Sequence, residues 1–317
     1  MIIYFSKVNL STVKLFDLYK QDKVRKEIRD NIFSFFESGT IYEVENYYKD
    51  DNGEKHPITT RYKLSIGIKD ESSISGVIYK YTTIYYKELN ELNGEIETRS
   101  QKTIEDIKFY FDVERELVGF HTRQRFGYQD FNSAFAGIIN MCMEKNKSDL
   151  EFSVELYNEG MEIDEISEEL KKISNIKRLE FMFKIPNPSD DDLLKELKDR
   201  LTDTAEQLEK ANANSMSVIF DSSGGIGLNI EAEEIKMNLS RIGRITSGVS
   251  DALATKNGYA RVKATGKDGK IYTTEDQKPI KCQIEDDEDD ITFFRSCKDT
   301  ILNIFAKKII TSQKKTE

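Results

Sequence analysis

Two short segments contain the residue types that phosphate or metal chemistry uses. Ser222 to Gly227 (SSGGIG) follows a strand-like stretch, as a phosphate-binding loop does, but it lacks the Lys-Ser/Thr ending of a P-loop and the dinucleotide glycine spacing. Glu285 to Asp290 (EDDEDD) offers the oxygen ligands that Mg²⁺ prefers. Adjacent acids cannot all face one ion, and this run precedes an amphipathic helix whose N-terminus favours carboxylates. The sequence therefore predicts a glycine turn and a helix cap here.

Histidine and cysteine usage does not indicate a catalytic or metal site. The two histidines, His56 and His121, have no serine or cysteine nucleophile motif near them. Three cysteines occur without CxxC spacing, which favours reduced, packed thiols over a disulfide or zinc site: Cys142, Cys282 and Cys297. We expect no catalytic residues, no metal ion and no cofactor.

A basic segment in the C-terminal third is the best candidate for a binding surface. The segment from Lys236 to Lys270 contains eight positive residues and two aspartates, so its local net charge is 8 − 2 = +6 in a chain of net charge −10. Strand alternation predicts that Arg261 and Lys263 share one side of a hairpin. Such a surface is able to follow phosphates, and the alternative is a solvated hairpin face. The predicted nucleic-acid-binding residues are Arg241, Arg244, Lys256, Arg261, Lys263, Lys267 and Lys270.

Hydrophobic periodicity predicts the elements that must position these residues. Residues 103–111 and 117–126 alternate as a hairpin, and Gly127 ends it. Gln129 to Met143 then forms a helix, because apolar residues recur at spacings of three and four: Phe131, Phe135, Ile138, Ile139 and Cys142. The small residues Ala134, Ala136 and Gly137 leave room for close packing. The N-terminal half is therefore predicted as an antiparallel sheet with helices.

Strands and helices alternate in the C-terminal half. Strands at 150–157 and 178–185 flank a helix at 163–173, which indicates a βαβ-like unit. Further helices are predicted at 190–212, 234–255 and 292–308. The predicted fold class is α+β, with an antiparallel-sheet N-terminal domain with helices (residues 1–148) and a mixed α/β C-terminal domain (residues 149–317).

Composition bounds the class of protein. A chain of 317 residues exceeds a typical single domain, so two domains are expected. No apolar run approaches the ~18 residues that span a bilayer, and residues 1–10 resemble a strand rather than a signal peptide, so a cytoplasmic location without membrane insertion is expected. The net charge of −10 has the wrong sign for an ordinary DNA binder, so DNA binding would depend on how the positive residues are distributed.

The order of segments resembles that of the lambda RexA phage-exclusion proteins, whose fold is related to the recombination-associated protein RdgC. The similar parts are residues 104–127, the strand-helix-strand at 152–185, and the stretch from ATGKDGKIYTTEDQ to FFRSCKDTILNIFAKKI at 264–309. This resemblance implies a non-enzymatic homodimer that binds DNA without sequence preference and acts in conflicts between phages.

Two other classes of function remain open. One is a sensor or effector that binds a phage protein, which an acidic surface allows. The other is a metal-dependent nuclease that uses Asp286, Asp287 and Asp289. A small membrane protein encoded nearby is the partner expected of an exclusion system.

Overall fold

The computed structural model is an α+β protein built on two antiparallel sheets. It describes residues 1–11, 22–50, 53–89, 94, 96–186, 207–208, 210–245, 251–285 and 289–314. Its strands are β1 (Ile2–Leu10), β2 (Ile41–Lys49), β3 (Lys55–Lys69), β4 (Ser73–Leu89), β5 (Ile96–Asp112), β6 (Leu117–His121), β7 (Phe152–Leu156), β8 (Ile176–Lys184), β9 (Ser215–Asp221), β10 (Ala260–Gly266), β11 (Ile271–Thr273) and β12 (Lys281–Gln283). Its helices are α1 (Asp22–Phe35), α2 (Tyr128–Lys145), α3 (Ile163–Lys171), α4 (Glu233–Ile245), α5 (Asp251–Lys256) and α6 (Asp290–Lys314), with a 3₁₀ turn at Thr274–Asp276. The helix predicted at 190–212 lies mostly outside the described residues.

The first sheet has eight strands in the order β12-β1-β6-β5-β4-β3-β2, with β7 also paired to β1. Its centre is the β4–β5 pair, two strands of 17 residues each whose register runs from Ser73 opposite Asp112 to Leu89 opposite Ile96. The hairpin predicted from residues 103–111 and 117–126 is confirmed as the β5–β6 pair, but β6 ends at His121, five residues earlier than predicted. Tyrosine, isoleucine and threonine are frequent in β4, as expected of a pleated, half-buried surface.

Helix α2 covers one face of the first sheet. All five residues of its predicted apolar stripe are buried, which confirms the helix. Phe131 stacks on Phe120 with ring centroids 3.8 Å apart. Gly137 permits the closest approach, because a Cβ there would lie 2.5 Å from the ring of Tyr42 on β2. Close packing at the small residues is thus confirmed at Gly137.

Helix α6 covers part of the opposite face of the first sheet. Phe293, Cys297 and Ile301 are buried against a group of residues from the strands: Ile3, Phe5, Tyr110 and Leu117. The predicted last helix is therefore confirmed, with bounds wider than residues 292–308. Within the described residues, none of the helices combines the length and the apolar character needed to cross a membrane.

The second sheet has four strands in the order β11-β10-β8-β9. One of its faces, which includes Phe181 and Val262, is buried against apolar residues of α3, α4 and α5: Ile166, Leu170, Ile235, Leu239, Ile242 and Ala254. Its other face has no helix over it among the described residues. The helix predicted at 234–255 is helical in both of its described parts, α4 and α5, and residues 246–250 lie outside the described residues.

Residue 148 does not separate the two sheets. Two strands from beyond it, β7 and β12, pair with β1 and belong to the first sheet. The predicted βαβ-like unit is also not formed, because β7 pairs with β1 whereas β8 pairs with β9 and β10. Local periodicity specifies that a segment is a strand but not which edge it joins. The C-terminal segment therefore completes the first sheet as well as forming the second.

Candidate nucleic-acid interface

The predicted basic residues lie on both sides of the second sheet. Val262 and Ala264 are buried beneath the helices. Because side chains alternate along a strand, Arg261 and Lys263 lie on the opposite, open face. Arg241 and Arg244 belong to α4, on the helical side. The structure therefore divides the predicted set and does not join it into one continuous surface.

The most buried member of the set on the open face, Arg261, is held by carboxylates. Its Nη2 lies 2.5 Å from Oε1 of Glu275 and 3.9 Å from Oε2 of Glu155. Glu155 also pairs with Lys184 of β8. Burial raises the pKa of Glu275, and the neighbouring guanidinium of Arg261 acts in the opposite direction. Arg261 therefore belongs to an ion-pair cluster that joins β7 of the first sheet to β8 and β10 of the second.

Two basic residues on the helical side have contacts of their own. Arg241 Nη1 donates a hydrogen bond to Asn238 Oδ1, 3.0 Å away and one helical turn earlier. Lys256 Nζ lies 5.0 Å from the centroid of the Tyr157 ring, a cation-π distance. Arg244 is exposed.

Three lysines are exposed on the β10–β11 hairpin and are here called the hairpin lysines: Lys263, Lys267 and Lys270. None of them has an ion pair with any residue in the described part of the chain. Two hydrogen bonds fix the turn. Within it, Lys270 N–H donates to Asp268 Oδ1 at 3.0 Å, and Lys267 N–H donates to the carbonyl of Asn175, just before β8, at 3.0 Å. Gly269 has φ +82°, which a glycine adopts at no cost. A fixed turn thus presents three ammonium groups to solvent.

A groove of about 520 Å³ opens on the first sheet, on the face opposite α2. We call it the sheet groove. Its lining contains three cations and no carboxylate: Ile41, Thr59, Arg61, Lys63, Tyr81, Thr82, Thr83, Lys102, Thr103 and Ile104. An adjoining hollow of about 370 Å³ shares Lys63 and Tyr81 and adds Tyr79. The two together form one concave surface across β3, β4 and β5.

Strand register sets the order of side chains in the sheet groove. Lys63 lies directly opposite Tyr79, and Arg61 lies directly opposite Tyr81. On the other side of β4, Tyr81 faces Ile104 and Thr83 faces Lys102. Each tyrosine therefore has a cation beside it on β3.

Charges within the sheet groove are only partly compensated. Arg61 Nε lies 2.6 Å from Glu43 Oε1, at the flank of the groove. Lys63 and Lys102 are exposed, and neither has an ion pair with a described residue. Asp106, opposite Tyr79, lies 4.0 Å from Arg123. Two ammonium groups therefore remain available next to two half-buried tyrosines.

Sequence reasoning did not find the sheet groove. Its cations come from β3 and β5, forty residues apart, and their meeting depends on the register of two hairpins. The available signal was the alternation of Arg61 with Lys63 and of Tyr79 with Tyr81. That alternation fixes a face for each strand but does not say that the faces adjoin.

The segments with phosphate or metal chemistry have structural roles where they are described. Asp289 Oδ1 accepts the Thr292 N–H at 2.8 Å and caps α6, which lowers the pKa of Asp289. Gly227 has φ +82°, and a Cβ there would lie 2.7 Å from Asn175 Cα, so the glycine loop is a tight turn. Asp286 and Asp287 lie outside the described residues.

A second acidic group lies at the start of β3. Asp50, Glu54 and His56 have ligand atoms within 4.8 Å of one another. Asp50 Oδ1 accepts the Glu54 N–H at 2.8 Å, and Asp50 Oδ2 lies 3.2 Å from His56 Nε2. These contacts are those of a closed hairpin end, with Asp50 as its hydrogen-bond acceptor.

The fold defines the class of this protein as α+β, with two antiparallel sheets. The model of one family, described as a domain of unknown function, DUF4747, matches residues 52–301. Because this match covers well over half of the chain, the protein belongs to the DUF4747 family. The matched range includes the hairpin lysines and all of the sheet groove except Ile41. No curated protein matches the chain.

Proposed function

We propose that this protein is a non-enzymatic DNA-binding protein that contacts duplex DNA without sequence preference through the hairpin lysines. One observation carries the proposal: three exposed ammonium groups stand on a hydrogen-bonded turn and have no carboxylate partner among the described residues. Lysine acts on phosphates as a point charge and carries no base preference. Arg261 is excluded from the contact set because Glu155 and Glu275 hold it.

The resemblance to RexA proteins extends this proposal to the whole assembly. It implies a cytoplasmic homodimer that acts when one phage excludes another, with a phage protein or a nearby-encoded membrane protein as partner. Light scattering at micromolar concentration is then expected to give twice the chain mass of 36.7 kDa. A mass near 36.7 kDa would contradict the homodimer.

Salt dependence tests the DNA contact. Each neutralised phosphate on duplex DNA contributes a slope of about −0.9 in log K against log salt, so three lysines give about −3. The net charge of −10 repels DNA from other surfaces, and we expect affinity at the weak end of the ~10⁻⁴ to 10⁻⁶ M range for non-specific binding. The triple variant Lys263→Glu, Lys267→Glu, Lys270→Glu should lose binding to all duplexes alike.

A matched control separates local contact from overall charge. The variant Lys26→Glu, Lys49→Glu, Lys298→Glu changes the net charge equally at exposed lysines outside the hairpin. Fluorescence anisotropy with two duplexes of unrelated sequence should show the control close to the wild type. Equal loss in both variants, or none in the hairpin variant, would refute the contact. Cleavage of a plasmid with Mg²⁺ or Mn²⁺ would refute the non-enzymatic part.

A further inference from the structure

We propose that the sheet groove is a second and separate site, and that it binds single-stranded nucleic acid by stacking bases on Tyr79 and Tyr81. The site does not include the hairpin lysines and goes beyond the proposed duplex contact. Its cations and rings lie on β3, β4 and β5 of the first sheet.

Ring placement favours stacked bases. Tyr79 and Tyr81 are two residues apart on one strand, so they lie on one face about 7 Å from each other. Neither ring has a ring-ring or hydrogen-bond partner within the residues that the structure describes. Both tyrosine side chains are half-buried, so neighbouring residues hold each ring in place while part of its surface stays accessible. Two neighbouring bases of an extended strand are able to take one ring each.

Charge placement favours a phosphate backbone beside those bases. Lys63 and Arg61 are the direct cross-strand neighbours of the two rings, and Lys102 lies on the far side next to Thr83. Exposed cations on both sides of aromatic rings form the pattern of sequence-tolerant single-strand binding. In a duplex the bases stack on one another, so the rings would have nothing to stack on.

Helix α6 covers the neighbouring part of this face of the first sheet and ends its cover before the sheet groove. Helix α6 packs over Tyr110 of β5, and its first residue, Asp290, pairs with Lys108 at 2.5 Å. The face beyond that pair, towards Ile104 and Lys102, has no helix over it among the described residues. Ile104 is 63% exposed there, an apolar contact for a base or sugar. A single strand is the occupant that uses the rings, the apolar residue and the cations together.

Anisotropy with a fluorescent oligo-dT strand measures this site. The double variant Tyr79→Ala, Tyr81→Ala should bind the strand more weakly by about 5- to 150-fold for each ring that stacks a base. The Tyr79→Phe, Tyr81→Phe variant keeps both rings and should bind like the wild type. Lys63→Gln with Lys102→Gln should flatten the salt slope by about 1.4, at about 0.7 per contact on a single strand.

Tyr86→Ala is the matched control, because Tyr86 is on the same strand, is 41% exposed and faces the other side by alternation. It should leave oligo-dT binding unchanged. The proposal is overturned if the double alanine variant binds oligo-dT as well as the wild type does, or if Tyr86→Ala loses as much affinity as that variant. It is also overturned if polyglutamate displaces the strand and binds to the variant that lacks both tyrosines. Duplex binding that survives in the alanine variant, together with strand binding that survives in the hairpin-lysine variant, would confirm two independent sites.

Discussion

At the scale of the residue, His121 is a titratable side chain that is buried away from water. It is 1% exposed on β6, its Nε2 accepts the Lys108 N–H at 3.0 Å, and its ring meets Phe293 of α6 edge to face. Burial, together with the smaller effect of the nearby Arg123 charge, lowers its pKa from 6.5 to about 4. His121 is therefore neutral in the folded protein at neutral pH.

A depressed histidine pKa makes stability depend on pH. Between pH 6.5 and about 4 the unfolded chain binds a proton at His121 that the folded chain does not, so the free energy of unfolding falls as the pH falls. The contribution is complete above pH 6.5 and amounts to about 3 kcal/mol. Urea unfolding of wild type and His121→Gln at several pH values isolates it, because other groups titrate equally in both. Parallel stability curves for the two proteins would contradict the prediction.

The sequence placed His121 in a strand but did not predict its burial. The strand alternates, and the histidine occupies a position where one face of the sheet is expected to be wet. The apolar residue that covers His121 is Phe293, which is far away in the chain, and no local sequence pattern indicates that contact. The same limit applies to the sheet groove, whose cations meet only through strand register.

At the scale of the element, β10 has two basic residues on one face that differ in their surroundings. The sequence predicted that Arg261 and Lys263 share one side of a hairpin and that both bind nucleic acid. The structure assigns Arg261 to the cluster with Glu155 and Glu275, and leaves Lys263 exposed. Alternation predicted the shared face correctly, but the partners on β7 and in the 3₁₀ turn were beyond its reach.

Stability measurements distinguish these two residues. Arg261→Glu places a third carboxylate beside Glu275, which loses its ion-pair partner, and beside Glu155, which keeps only Lys184. We expect the free energy of unfolding to fall by about 2 kcal/mol, between the values for exposed and buried pairs. Lys263→Gln should stay within about 0.5 kcal/mol of the wild type. Urea midpoints measure both. Equal effects of the two changes would show that the ion pairs of Arg261 do not contribute.

Long periodic elements were the part of the fold that the sequence predicted well. Strand β5 and helix α2 follow from patterns of nine residues or more, and each pattern is satisfied within its own segment. The places of two short strands in the sheet were not predicted: β12 has three residues, and β7, although predicted as a strand, has five. The place of each of these strands in the sheet depends on the edge of β1 with which it pairs, and no sequence pattern inside the strand itself indicates that edge.

At the scale of the whole molecule, the two halves of the chain share one sheet. The interior between β1, β6 and α6 contains Phe293, Cys297 and Ile301 from the last helix. A fragment of residues 1–148 would therefore expose Ile3 and Phe5, both 0% exposed in the intact chain, and would leave one edge of β1 unpaired.

We expect the 1–148 fragment to aggregate or to lack a cooperative unfolding transition, because about 2 kcal/mol is lost for each large apolar side chain that stays in water. Co-expression with residues 149–317 should restore a soluble complex, and circular dichroism during thermal unfolding measures both preparations. A soluble 1–148 fragment with a sharp transition would show that the first half folds alone.

The pairing of β1 with β12 also has a consequence for synthesis. Ile2 pairs with Gln283, so the two strands leave the ribosome some 280 residues apart. At about 5 to 20 residues per second the first strand waits many seconds for its neighbour. During that time the nascent chain presents an open strand edge, which is the feature that chaperones protect from intermolecular pairing. Expression yield of this protein should therefore respond to translation speed and chaperone supply more than its folded stability would suggest.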